Sequence, residues 1–210
     1  MTETGLTDLT ARACVHVLDD DTGLRAALSD LLESTGYEVL TYGSTAEFLA
    51  RDPGCEPGCL ILDVRLPGMN GIELQEKLAS DGVTLPVILI TGFGDVPMSV
   101  RGMKAGALDF IEKPFREQDI LDAVAKAVAV SRRTVPLVRR RAVLEQRLAC
   151  LSQREREVMG LVIRGHLNKQ IAHALSISEG TVKVHRSNVI RKMEARSVAE
   201  LGRMAEVLGL

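Results

Sequence analysis

No uncharged apolar run in this chain approaches the ~18 residues that a membrane-crossing helix needs, so no membrane partner is expected. Residues 1–11 are polar and hold no apolar core, so no secretory leader is expected there. Cysteine is scarce, with four residues at 14, 55, 59 and 150. Cys14 sits in an apolar run and reads as a small core residue. Cys55 and Cys59 bracket a Glu-Pro-Gly turn, but no matching Cys/His pair lies nearby, so a zinc site is not expected. A reducing cytoplasm is the expected compartment. Internal repeats and low-complexity tracts are also missing. Net charge is small, at −2 over 210 residues.

What is present is the composition of a globular protein, 46% hydrophobic and 26% charged. The small net charge hides a division. Residues 1–130 hold 10 Lys/Arg against 21 Asp/Glu, a net of −11. Residues 131–145 hold 5 Arg and 1 Glu, and residues 146–210 hold 11 Lys/Arg against 6 Asp/Glu, nets of +4 and +5. An acidic front and a basic back argue for two modules with different partners.

The front alternates. Short runs predict strands at Cys14–Leu18, Tyr37–Tyr42, Cys59–Leu62, Pro86–Ile90 and Ala107–Ile111, that at Cys59–Leu62 fully apolar. Amphipathic stretches between them predict helices: one carrying Leu24, Leu28, Leu31 and Leu32, then Ala46–Arg51, Gly71–Ser80, Met98–Ala105 and Glu117–Val130. Apolar strands of this kind fit a parallel sheet covered on both faces, whose ligand site lies at the carboxyl ends of the strands. Residues 131–147 read as a basic, exposed linker interrupted by Pro136, helical at most beyond it. Residues 148–210 carry only helical patterns: Ser152–Arg164, Asn168–Leu175, Glu179–Met193 and Val198–Val207.

Carboxylates stand at two of the strand ends. Asp19, Asp20 and Asp21 follow the first strand, and Asp63 follows the third. Clustered carboxylates repel and call for a cation or for raised pKa values. Oxygen-only donors with few protein ligands suit Mg²⁺. Thr91 and Lys113 follow the fourth and fifth strands and add a hydroxyl and an ammonium. An acceptor carboxylate, a divalent cation, a hydroxyl and an ammonium together make a phosphoryl-transfer site.

In the back half, Ser152-Gln153-Arg154-Glu155 fits a capping box. Two helices joined by the tight turn Ser176-Ile177-Ser178 in a basic module suggest helix-turn-helix. Along the second, Val182, Val189 and Met193 fall within about 40° of one another and would pack inward. Lys183, Val184, Ser187, Asn188 and Arg191 lie opposite and suit base edges and phosphates. Arg186 sits on the buried side, where pairing with Glu155 or Glu157 is expected.

The segment Val15–Asp21 resembles the acidic opening of a response-regulator receiver domain. Leu62–Gly71 resembles that family's phosphorylation loop, and Thr91-Gly92 and Asp109–Phe115 its remaining motifs. Residues 94–107 are close to the FixJ branch. Leu151–Val158, Asn168–Ala172 and Ser178–Arg186 are similar to the LuxR-type DNA-binding domain. The resemblance implies a flavodoxin-like α/β receiver with a five-stranded parallel sheet, followed by a small all-α helix-turn-helix domain. It implies that Asp63 is the phospho-acceptor, and that Asp20, Asp63 and the backbone carbonyl of Arg65 hold Mg²⁺, with Asp19 acting through a metal-bound water. It also implies that Lys113 pairs with phosphoryl oxygens, that Thr91 and Phe110 form the switch, and that Lys113–Pro114 is cis. Asp21 caps the following helix. Arg65 and Phe93 are bulky neighbours able to shield the acyl phosphate.

On the DNA side the resemblance assigns Lys183, Val184 and Ser187 to bases, and Asn168, Lys169, Thr181 and Arg191 to phosphates. The implied partners are a sensor histidine kinase, double-stranded DNA and RNA polymerase, with transcriptional activation the expected sign. Phosphorylation would drive homodimerisation through the Asp95–Ala105 helix and the Ala107–Ile111 strand. No enzyme activity is expected beyond Mg²⁺-dependent self-phosphorylation and slow dephosphorylation. Leu18–Thr22 also loosely resembles the nucleophile loop of haloacid-dehalogenase-type phosphatases, a reading that leaves Asp63 and Lys113 without roles.

Overall fold

The computed structural model describes residues 12–51, 57–92 and 96–210. The expectations for residues 1–11, Cys55, Phe93 and Asp95 lie outside these. The described chain divides into two units, Met1–Pro136 and Leu137–Leu210.

The first unit is built on five strands: β1 (Cys14–Leu18), β2 (Glu38–Tyr42), β3 (Gly58–Asp63), β4 (Val87–Thr91) and β5 (Asp109–Glu112). All pair in parallel, in the order β2-β1-β3-β4-β5. That is the flavodoxin-like order, so the expected fold class holds. The helices are α1 (Thr22–Ser34), α2 (Thr45–Leu49), α3 (Gly71–Ser80), α4 (Val96–Lys104) and α5 (Glu117–Ala149).

Strand alternation divides the core. Val15, Val17, Ile61, Ile88 and Ile90 pack with Leu28 and Leu32 of α1 and with Ile120, Val124 and Val128 of α5. Leu18, Leu60, Leu62 and Leu89 pack with Phe48 of α2 and with Ile72, Leu74 and Leu78 of α3. The central strands β1, β3 and β4 are buried along their whole length, which explains their unbroken apolar sequence. Cys14 and Cys59 lie in this interior, and burial pushes the Cys59 thiol up to about 12.

Several expected boundaries shift by a residue or two, and three changes have a visible cause. The fifth strand runs Asp109–Glu112, two residues later than its apolar pattern begins, because Ala107 N–H is drawn back to the Gly102 carbonyl at 3.0 Å. The helix before it is Val96–Lys104, since Ala105 and Gly106 close its end by bonding back to Arg101 and Met103. The largest change is the linker. Residues 131–147 belong to one 33-residue helix that passes through Pro136. Proline removes one ladder hydrogen bond and crowds the carbonyl four residues back. Here that carbonyl belongs to Arg132, and Arg132 and Pro136 are both exposed, so the gap in the ladder falls on the solvent side of the helix. Buried Ser131 and Val135 hold the opposite side, and Ser131 Oγ accepts from Gly58 N–H at 3.1 Å. The first unit therefore extends to Pro136 and does not end at residue 130.

The second unit contains the end of α5 with α6 (Gln153–Ile163), α7 (Asn168–Leu175), α8 (Glu179–Met193) and α9 (Val198–Leu208). Leu144 and Leu151 share one core with Val158, Ile171, Val182, Val189, Met193 and Leu201.

Candidate functional site

β1, β3, β4 and β5 end side by side, and each delivers one polar group. Asp19 follows β1, Asp63 is the last residue of β3, Thr91 is the last of β4, and Lys113 follows β5. Carboxylate oxygens of Asp19, Asp20 and Asp63 all lie within 4.8 Å of one another. Asp19 and Asp63 are 2% and 5% exposed, whereas Asp20 faces solvent. Lys113 Nζ donates to Asp19 Oδ2 at 2.7 Å and to Asp63 Oδ2 at 2.8 Å. Burial works against the ammonium, but these two carboxylates outweigh it and hold its pKa above the ordinary value.

Backbone amides complete the cradle. Arg65 N–H donates to Asp63 Oδ1 at 3.0 Å, and Asp21 N–H donates to Asp19 Oδ1 at 2.9 Å. The loop is held close by Gly71, where a Cβ would stand 2.3 Å from the Asp63 carbonyl oxygen. No side chain fits between the start of α3 and the end of β3. Thr91 is 1% exposed, and its Oγ1 has no hydrogen-bond partner among the described residues. A buried hydroxyl left unpaired is costly and marks a place where a ligand atom is wanted.

Three carboxylates against one ammonium leave the pocket negative, and every donor is a hard oxygen. That set fits Mg²⁺, a cation bound by one or two carboxylates plus water and phosphate oxygens. Asp21 takes no part: its carboxylate caps α1, accepting from Gly23 and Leu24 N–H at 2.8 and 3.1 Å. These two bonds hold its pKa below the usual carboxylate range. Lys113–Pro114 is cis, as expected. Phe110 is half-buried against the Leu89 side of the core. One contact had no signal in the sequence. Arg25 Nη1 donates to the Asp19 carbonyl oxygen at 2.5 Å, which ties the acidic loop to α1.

In the second unit Ser152 and Glu155 form the expected capping box, and Ser178 caps α8 by accepting from Thr181 N–H at 3.0 Å. Val182, Val189 and Met193 are buried, as the helical spacing predicts. Lys183, Ser187 and Arg191 are exposed, with Val184 at 59% exposure, although it is apolar. Asn188 is half-buried, and Thr181 and Lys169 are exposed near the helix starts.

The expected partner of Arg186 is wrong. Glu155 is bonded to Lys192 Nζ at 2.6 Å, while Arg186 Nη1 donates to Asn168 Oδ1 at 2.6 Å. The packing of α6 across α8 brings Lys192 to Glu155. Arg186 stands at the flank of the buried stripe and extends its charged end toward the start of α7.

Residues 15–125 match the family described as "Response regulator receiver domain", and residues 149–205 match "Bacterial regulatory proteins, luxR family". The chain is 46% identical over 206 residues to nodulation protein W of Bradyrhizobium diazoefficiens, covering 98% of this chain and 91% of that protein. It is 44% identical over 196 residues to the transcriptional regulatory protein FixJ of Azorhizobium caulinodans, covering 93% of each. Its structure is similar to that of the response regulator StyR, with a TM-score of 0.78 and 46% identity over 93% of this chain and 99% of that one.

Proposed function

This chain belongs to the two-component response regulators that join a receiver domain to a LuxR-type DNA-binding domain, and we propose that phosphorylation of Asp63 by a sensor histidine kinase is the event that switches its DNA binding. The observation that carries the assignment is the convergence of the Asp19, Asp20 and Asp63 carboxylates, with the Lys113 ammonium bonded to Asp19 and Asp63.

Asp63 Oδ attacks the phosphorus of a phosphohistidine; the P–N bond breaks as the P–O bond forms, and the histidine takes a proton from solvent. Asp20, Asp63 and the Arg65 carbonyl would hold Mg²⁺, with Asp19 reaching it through water. When bound, the metal neutralises phosphoryl oxygens during transfer. Lys113 exchanges its bond to Asp63 for one to a phosphoryl oxygen, and the unpaired Thr91 hydroxyl donates to another. Thr91 moves toward the phosphoryl group, and Phe110 follows inward.

The face formed by α4 and β5 then pairs with a second copy. Two copies present two α8 helices to adjacent major grooves, one helical turn of DNA apart. Lys183, Val184 and Ser187 meet bases, Asn188 lies beside them, and Asn168, Lys169, Thr181 and Arg191 meet phosphates. RNA polymerase is the partner downstream, and activation is the outcome. Among the described residues no helix is long and apolar enough to cross a membrane.

Size-exclusion chromatography with light scattering tests the scheme. With Mg²⁺ and beryllium fluoride the wild-type chain shifts from monomer to dimer. Asp63→Asn folds but stays monomeric. An Asp63→Asn protein that still dimerises on adding both reagents refutes the assignment of Asp63.

A further inference from the structure

The bond from Arg186 to Asn168 joins α8 to the first residue of α7 at 2.6 Å. An arginine can only donate, so the atom it meets is the amide oxygen, and this orients the whole carboxamide. The opposite end, Nδ2, then carries two N–H donors, and no described hydrogen bond uses them. Asn168 is half-buried and stands next to exposed Lys169. Arg186 has no carboxylate partner among the described ion pairs, and Glu155 is taken by Lys192.

We propose that Arg186 is a positioning residue for the DNA backbone: it holds the Asn168 carboxamide with its N–H donors turned to a phosphate oxygen. The polarity is the reason it is needed. A phosphate oxygen accepts and never donates, whereas an unrestrained asparagine presents its oxygen as readily as its nitrogen. Locking the oxygen onto a guanidinium removes the orientation that repels phosphate. The inference rests on the reading that Asn168 faces the DNA backbone, and it adds a residue that the helical spacing had placed on the buried side, away from DNA.

The test uses the full chain, activated with Mg²⁺ and beryllium fluoride, and a labelled mixed-sequence duplex read by fluorescence anisotropy across a salt series. Arg186→Gln loses at least about tenfold in affinity, the value of one hydrogen bond to a charged acceptor. Asn168→Ala loses a similar factor, and the double variant loses no more than either single one. The slope of log affinity against log salt is unchanged in Arg186→Gln, because a neutral amide releases no counterion. Arg186→Lys recovers part of the loss, since an ammonium also only donates.

A slope reduced by about one makes Arg186 a direct phosphate contact and overturns the positioning role. Additive losses in the double variant overturn it as well, and leave the Asn168 contact standing. Full affinity in Asn168→Ala overturns both readings. A lowered thermal midpoint in Arg186→Gln, with a binding loss that persists in the Asn168→Ala background, assigns Arg186 to the fold alone.

Discussion

Lys113 and Asp63 are fifty residues apart in sequence and 2.8 Å apart in space, and the same ammonium reaches Asp19 at 2.7 Å. One cation thus neutralises part of a pocket that holds three carboxylates. The arrangement resembles an internal counterion waiting to be supplemented. Lys113→Met leaves two buried carboxylates facing each other, and we expect it to lower receiver stability by about 1–3 kcal/mol without metal. Added Mg²⁺ then raises the melting temperature of Lys113→Met more than that of the wild type. Equal Mg²⁺-induced shifts in the two proteins would show that Lys113 does not balance this pocket.

Gly71 sets the entry of α3 against the end of β3. An added Cβ lies 2.3 Å from the Asp63 carbonyl oxygen and 3.0 Å from Val64 Cα, both backbone atoms that yield little. Gly71→Ala is expected to destabilise the first unit by about 1–3 kcal/mol and to displace the Asp63 loop. Denaturant unfolding reads the first effect, and the dimer fraction in beryllium fluoride reads the second. Wild-type behaviour in both would show that the loop has room to adjust.

His16 is buried on β1, with Nδ1 3.0 Å from the Tyr42 hydroxyl, its ring stacked on Tyr42 and meeting Phe48 edge-on. Burial foremost, with the Arg51 charge beside it, lowers its pKa from 6.5 to about 4. The fold favours the neutral ring, and the unfolded chain takes up a proton first. Stability from this residue is therefore complete above pH 6.5 and is lost as pH falls toward about 4. The His16 ring resonances, followed by NMR across that range, should titrate near the lower value. A midpoint near 6.5 would contradict the buried environment.

Glu155 is nearly fully buried between Lys192 and the Ser152 amide, at 2.6 and 2.8 Å. The bond from Lys192 foremost, with the Ser152 N–H, holds its pKa at about 2, against an ordinary 4.5. A depressed carboxylate stabilises the fold above pH 4.5, and this is lost as pH falls toward about 2. Glu155→Gln should lower the stability of the second unit at neutral pH by about 1–3 kcal/mol. It should also flatten the acid dependence in that window. Denaturant titrations followed by circular dichroism at several pH values check both, and an unchanged acid slope would rule out Glu155 as its source.

The acidic pocket was legible before any coordinates because its parts come one per strand end. Asp19, Asp63, Thr91 and Lys113 each follow an apolar run, and a parallel sheet brings such ends together. Asp21 was legible as a cap, since it immediately precedes an amphipathic stretch. Arg25 was not, because its bond to the Asp19 carbonyl depends on how α1 folds back over β1. Arg186 was misassigned for a related reason. Helical spacing told that it flanks the buried stripe, but which partner stands opposite depends on how α6 and α7 cross α8.

Pro136 marks the same division. Its local chemistry argues for a break, and the sequence therefore suggested a linker. The helix nevertheless runs on through it: Ile120, Val124 and Val128 lie in the core of the first unit, Leu144 lies in the core of the second, and Pro136 itself is exposed. What the sequence determined by itself were the periodic quantities: strand and helix order, the carboxylate-bearing strand ends, and the buried and exposed faces of α8. These follow from side-chain spacing along a regular backbone. What the tertiary structure alone decided was pairing between elements, such as Lys192 with Glu155 and Arg186 with Asn168. Those outcomes turn on distances between segments, to which no local periodicity has access.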